Sequence, residues 1–152
     1  MKILLVYGTL SGSTMTAADI VTAALRKAGH EVSELTADSA SKDMLTPCGA
    51  LVIGSPSWED DGTDGQPLPE VRKFLDSLTS DDLSGKKAAV FGLGDVSYPH
   101  FCGAVDVIES KLKERNVSPI IPSVRIDRYY SSADNETKIR DWATQLGASL
   151  SQ

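Results

Sequence analysis

Four hydroxyls fall within six positions in the stretch Gly8-Thr9-Leu10-Ser11-Gly12-Ser13-Thr14, directly behind an apolar run at 3–7. A helix starting where that stretch ends leaves its first backbone N–H groups without partners. Those amides, the hydroxyls of Thr9, Ser11, Ser13 and Thr14, and the positive end of the helix dipole together make an anion cradle. A nucleoside triphosphate loop would carry the lysine of GK[ST], and a dinucleotide loop the spacing G-x-G-x-x-G; the stretch has neither. A cradle without a cation suits one phosphate monoester held by hydrogen bonds alone.

Two further stretches hold aromatics in polar settings. Ser55-Pro56-Ser57-Trp58-Glu59-Asp60-Asp61-Gly62 sets a tryptophan ahead of three carboxylates, a poor pattern for a core residue. Gly94-Asp95-Val96-Ser97-Tyr98-Pro99-His100-Phe101-Cys102-Gly103 surrounds a tyrosine with small and polar residues. Two loop aromatics at one edge of a fold could clamp a planar ring, the contacts adding roughly 0.5–1.5 kcal/mol per pair beyond area burial.

The elements that must position these loops follow from the hydrophobic pattern. Short apolar runs at 2–7, 31–35, 50–53, 87–92 and 120–126 read as strands, the last of them broken by Pro122. Between and after them, residues 14–27, 67–78, 101–115 and 135–150 carry apolar side chains at helical spacing, and Gly29 ends the first helix. Strands alternating with amphipathic helices give an α/β fold, doubly wound and in three layers, with a parallel sheet covered on both faces. In such sheets a ligand sits beyond the carboxyl ends of the strands, where strand order reverses. The three unusual loops stand at those ends, at 8–14, 54–65 and 92–103. With no internal repeat or linker, residues 1–152 are expected to form a single domain.

Charge narrows the classes of partner. The chain has 15 Lys+Arg against 21 Asp+Glu, a net charge of −6, and no basic run. This excludes binding to nucleic acid or to an anionic membrane surface, where cations must neutralise phosphates. The excess of acid is local, because residues 56–82 hold 8 acidic and 2 basic side chains. A patch of that kind steers a cationic partner. The apolar run at 3–7 is too short for a secretion signal, and Cys48 and Cys102 show no metal or disulfide spacing. A cytoplasmic monomer with reduced thiols and no metal is expected.

Taken together, the loop at 9–14, the Trp58 loop and the stretch GDVSYPHFCGAVDVIESKLK at 94–113 resemble the flavodoxins, over essentially the whole chain. Lacking a long insertion in the fifth strand, the chain resembles the short-chain kind, and it is also similar to the FMN domains of diflavin reductases. The resemblance implies a five-stranded parallel sheet in the order 2-1-3-4-5 and FMN as the cofactor. It implies that Thr9, Ser11, Ser13 and Thr14, with the amides through Leu10 and Gly12, hold the FMN phosphate. Pro56 and Ser57 would lie along the ribityl and phosphate side. Trp58, followed by Glu59 and Asp60, and Tyr98 would flank the ring. Gly94 and Asp95 with His100, Phe101 and Cys102 would complete the site, Asp95 and Cys102 offering backbone groups to the pyrimidine edge. No catalytic residue and no metal are implied.

The departures from the family pattern bear on redox tuning. Pro56 replaces a hydroxyl, Ser13 a usual Asn, Glu59 a usual Gly after the tryptophan, and Pro99-His100 an acidic-aromatic pair. His100 either couples its own protonation to flavin reduction or points into solvent. The function implied is electron shuttling, from an NAD(P)H-dependent flavin reductase to a redox enzyme with a basic docking face, haem monooxygenases included. A flavin-dependent reductase or an FMN-binding accessory protein would use the same fold.

Overall fold

The computed structural model describes residues 1–60 and 62–152. Five strands form its parallel sheet: β1 (Lys2–Tyr7), β2 (Glu31–Thr36), β3 (Ala50–Pro56), β6 (Lys87–Gly94) and β7 (Val124–Asp127), in the order β2-β1-β3-β6-β7. Counting only these five, the order is 2-1-3-4-5, as expected. Alternate residues of each central strand point to opposite faces. Ile3, Leu5, Val52 and Phe91 therefore enter one apolar layer with α1 (Ser13–Lys27) and α5 (Asp134–Leu150). Leu4, Val6, Ile53 and Val90 enter the other with α2 (Pro69–Asp76), the short α3 (Ser80–Leu83) and α4 (Gly103–Glu114).

Several boundaries differ from the sequence reading, each for a local reason. The third strand runs through Gly54 to Pro56, in register with β6 from Gly54↔Phe91 to Pro56↔Leu93. Gly54 is not a break: a Cβ there would overlap the Phe91 ring, and Phe91 is fully buried. The fourth strand likewise continues to Gly94. The helix expected at 101–115 starts at Gly103, because Cys102 takes a left-handed backbone with φ 49°. That expected at 67–78 starts at Pro69, since Leu68 precedes a proline and stays extended. Pro122 delays the last strand to Val124, although Ile120 N–H still donates to the Ala88 carbonyl at 2.8 Å. An antiparallel hairpin, β4 (Trp58–Asp60) with β5 (Thr63–Gln66), was not expected at all.

One carboxyl on the β2 side gives the fold a pH dependence. Burial, reinforced by the neighbouring Asp19 carboxyl, pushes Glu34 from its ordinary 4.5 up to about 7. The folded chain thus favours the protonated form, so this stabilisation is complete below the ordinary value and is lost as pH rises through the folded one. Glu34→Gln keeps the neutral shape. Thermal melts should place it level with the parent at about pH 4 and above the parent at about pH 8. A variant that melts below the parent at the higher pH would refute this account.

Candidate cofactor site

The first loop turns on Gly12. With φ 91° it takes the left-handed corner that a side chain would make costly, and it becomes the N-cap of α1. Its N–H donates to Thr9 Oγ1 at 2.9 Å, so the Thr9 hydroxyl accepts from the loop and keeps its own proton to donate. The Gly12 carbonyl takes the N–H and the hydroxyl of Thr16, both at 3.0 Å. No side chain caps α1 and no acid stands in its first turn, so its amide dipoles face outward uncompensated. Ser11 and Ser13 meet at 3.2 Å between hydroxyl oxygens. Thr14 is buried behind them.

The second wall is the end of β3 and the start of the hairpin. Ser57 donates its N–H to the Leu93 carbonyl at 2.9 Å, and its Oγ accepts from Ala104 N–H at 2.9 Å. This ties the β3 end to the start of α4 on one side and to β6 on the other. Behind Ser57 the hairpin folds back onto α4, where Gly65 and Gly103 touch backbone to backbone. Trp58 accordingly packs half-buried against the apolar layer of α2 and α4, not on an open loop.

The third loop is braced internally. Asp95 accepts from the Ser97 hydroxyl at 2.6 Å and from Ser97 N–H at 2.8 Å, which holds its carboxyl below the usual value. Both bonds fall on Oδ1, which ties the carboxyl back into the loop and leaves the backbone groups of Asp95 open to a ligand. Tyr98 lies 61% exposed at the tip. His100 N–H donates to Asp64 at 3.0 Å and its ring Nδ1 lies 3.4 Å from the same carboxylate, so His100 clasps this loop to the hairpin. Cys102 is fully buried, and burial pushes its thiol up to about 11, so it stays protonated near neutrality.

These walls enclose a cavity of about 220 Å³. Of the residues singled out from sequence, Thr9, Leu10, Ser11, Ser13, Thr14, Pro56, Ser57, Gly94 and Asp95 line it together. The lining does not include Gly12, which turns the first loop, nor Trp58, Glu59, Asp60, Tyr98, His100, Phe101 or Cys102, which stand in the hairpin and third loop around it. Three lining residues were missed: Leu93 near the end of β6, and Arg128 and Tyr129 from the turn after β7. The carboxyl-end rule covers that turn as well, and its arginine and tyrosines were the available signal. The acidic segment is less free than its composition implies. Asp60 pairs with Arg72 at 2.9 Å, Asp64 is engaged by His100, and Glu59 is exposed. Asp61 lies outside the described residues.

The cavity fits a ligand with a phosphate tail and a polar stem. An uncapped helix end and hydroxyls supply donors, and no carboxylate from α1 opposes an anion there. The Tyr129 hydroxyl and the Trp58 indole N–H are buried with no hydrogen-bond partner among the described residues. The described residues hold no cluster able to bind a metal, and no helix is long and apolar enough to cross a membrane.

Known proteins share both sequence and architecture. The chain is 36% identical to probable flavodoxin 2 of Bacillus subtilis over 153 residues, covering 98% of this chain and 99% of that one. With the flavodoxin of Maridesulfovibrio salexigens it shares 37% over 128 residues, 83% of this chain and 86% of the relative. The crystal structure of oxidised flavodoxin 2 from Bacillus cereus superposes with a TM-score of 0.86 at 30% identity, covering all of both chains. The flavodoxin family model matches residues 5–142, and the chain belongs to the flavodoxin family.

Proposed function

We propose that residues 1–152 work as one unit carrying electrons from an NAD(P)H-dependent flavin reductase to a redox enzyme with a basic docking face, such as a haem monooxygenase. The coarser statement follows from the family: the protein is an FMN-containing electron carrier and not an enzyme. One observation carries the assignment of the site. The uncapped N-terminus of α1 opens into the same cavity as the ends of β3 and β6. When bound, FMN supplies one-electron chemistry at its ring, and the protein supplies position and electrostatics.

In this reading the residues divide the work by what each has left to offer. Thr9, Ser11, Ser13 and Thr14 donate hydroxyl protons, and the first-turn amides of α1 donate beside them. Ser57 accepts from Ala104 and retains its own proton for the stem of the cofactor. Asp95, one carboxylate oxygen held by Ser97, offers backbone groups. Cys102 sets the left-handed turn that starts α4, and burial keeps its thiol protonated. Trp58 and Tyr98 bound the ring region from the hairpin and the third loop.

Docking uses the exposed part of the acidic segment. Asp60 and Asp64 also brace the hairpin, so neutralising them mixes docking with local structure. Among the described residues Glu59 has no such duty, and it is the cleaner probe. Stopped-flow reduction by the reductase should slow with added salt, and Glu59→Gln should lower both the rate at low salt and the salt slope. Rates independent of salt in the parent, or identical slopes in the two proteins, would refute the acidic docking face. A protein that accepts electrons but passes them to no partner would refute the carrier chain.

A further inference from the structure

Resting on the reading that FMN fills this cavity, we propose that Arg128 supplies the positive charge by which the site prefers the phosphorylated flavin, with Asp127 setting its strength. The phosphate loop at 8–14 contains no cation, and Arg128 is the one cation among the described residues lining the cavity. It arrives from a different element, the turn after β7. Its N–H donates to the Gly94 carbonyl at 2.7 Å, which fixes its backbone against the cavity wall.

That backbone is strained. Arg128 has φ 45°, in the left-handed region where a residue with a Cβ is disfavoured and glycine is at ease. The long cationic side chain is therefore held where a turn alone would be better served by glycine. The side chain is 57% exposed, and its guanidinium is tethered to Asp127, Nη2 to Oδ2, at 3.1 Å. Asp127 is itself anchored, its Oδ1 accepting from Val96 N–H at 2.9 Å. Asp95 stands at the same wall and acts on Arg128 through its charge. Without Arg128, that wall would hold Asp95, with Asp127 next to it in the chain, and no cation to face a ligand carrying a phosphate. A neutral flavin would feel little of this; a phosphorylated one would be repelled.

The test titrates apo-protein with FMN and with riboflavin, following quenching of flavin fluorescence at several salt concentrations. Arg128→Gln should weaken FMN about three- to fivefold, as for a half-exposed ion pair, and flatten its salt dependence. Riboflavin affinity should not change. Arg128→Lys, which keeps the charge and the left-handed strain, should recover most of the loss. Asp127→Asn, whose amide oxygen can still accept from Val96, should tighten FMN alone. Equal losses for both flavins in Arg128→Gln, or no loss for either, would overturn the proposal. Parent protein that fails to bind FMN would overturn the cofactor reading instead, so the two failures are told apart.

Discussion

Gly103→Ala should lower stability by roughly 1–3 kcal/mol, an overpacking cost, and the melting temperature by roughly 2–12 °C for a chain of this size. A Cβ at Gly103 would come 2.7 Å from the Gly65 carbonyl oxygen and 2.9 Å from its Cα. Both are backbone atoms, so no rotamer change relieves the clash. Gly65 cannot retreat readily either, because it has φ 75° and sits against His100. The hairpin must therefore lift off the start of α4, and Ser57, which accepts from Ala104 there, must shift with it. FMN affinity should fall about tenfold as the second wall of the cavity moves, a change worth about 1.4 kcal/mol. Gly85→Ala is the control: with φ 73° and nothing within 4 Å of its Cβ, it carries backbone strain of about 1 kcal/mol and should leave FMN binding intact. A Gly103→Ala protein with the parent's melting temperature and affinity would show that the hairpin is not held by this contact.

That contact marks a limit of sequence reading. The strands and helices were legible because each buries one face or both, which leaves a continuous apolar run in β1 and apolar residues at helical spacing in α1 and α4. The first wall of the cavity was legible for a different reason: hydroxyls and glycine at a strand-to-helix junction have few uses besides capping and anion binding. Residues 58–66 lack either trace. Their hairpin is held by a close approach of two glycines and by Arg72, which bonds Asp60 and Gln66, all contacts made across the fold. The same cause misplaced Trp58, whose acidic neighbours point to a loop while its ring packs on the layer of α2 and α4.

The turn after β7 was missed for a conformational reason. Arg128 reaches the cavity wall only through a left-handed backbone, and an arginine gives no sign in sequence that it will adopt one. The acidic segment was read correctly as a charge count and less well as a free surface. Composition counts carboxylates, but Asp60 pairs with Arg72 because the hairpin lies against α2, and Asp64 with His100 because β5 and the third loop lie side by side. What sequence reports well is the chemistry each residue could do; what it reports poorly is which of those capacities the fold has already spent.

The phosphate cradle yields the largest expected effect on binding. FMN should bind roughly 10²–10⁴ times more tightly than riboflavin, because losing the phosphate forfeits at least two charge-assisted hydrogen bonds of roughly 1.5–3 kcal/mol each. The donors are in place before the ligand arrives. Gly12 bonded to Thr9 preforms the loop, and the uncapped end of α1 has no internal acceptor to give up. FAD should bind far more weakly than FMN, since its phosphate is esterified onward and the cradle of about 220 Å³ suits a terminal group. Thr14→Val tests one donor with little change of shape at a buried position in the first turn of the helix. It should weaken FMN about ten- to a hundredfold and leave riboflavin unchanged, as befits one lost hydrogen bond to a charged group. Equal affinities for FMN and riboflavin in the parent would remove the cradle from the account. A Thr14→Val protein weakened equally toward both flavins would mean that the substitution had disturbed the loop and not a phosphate contact.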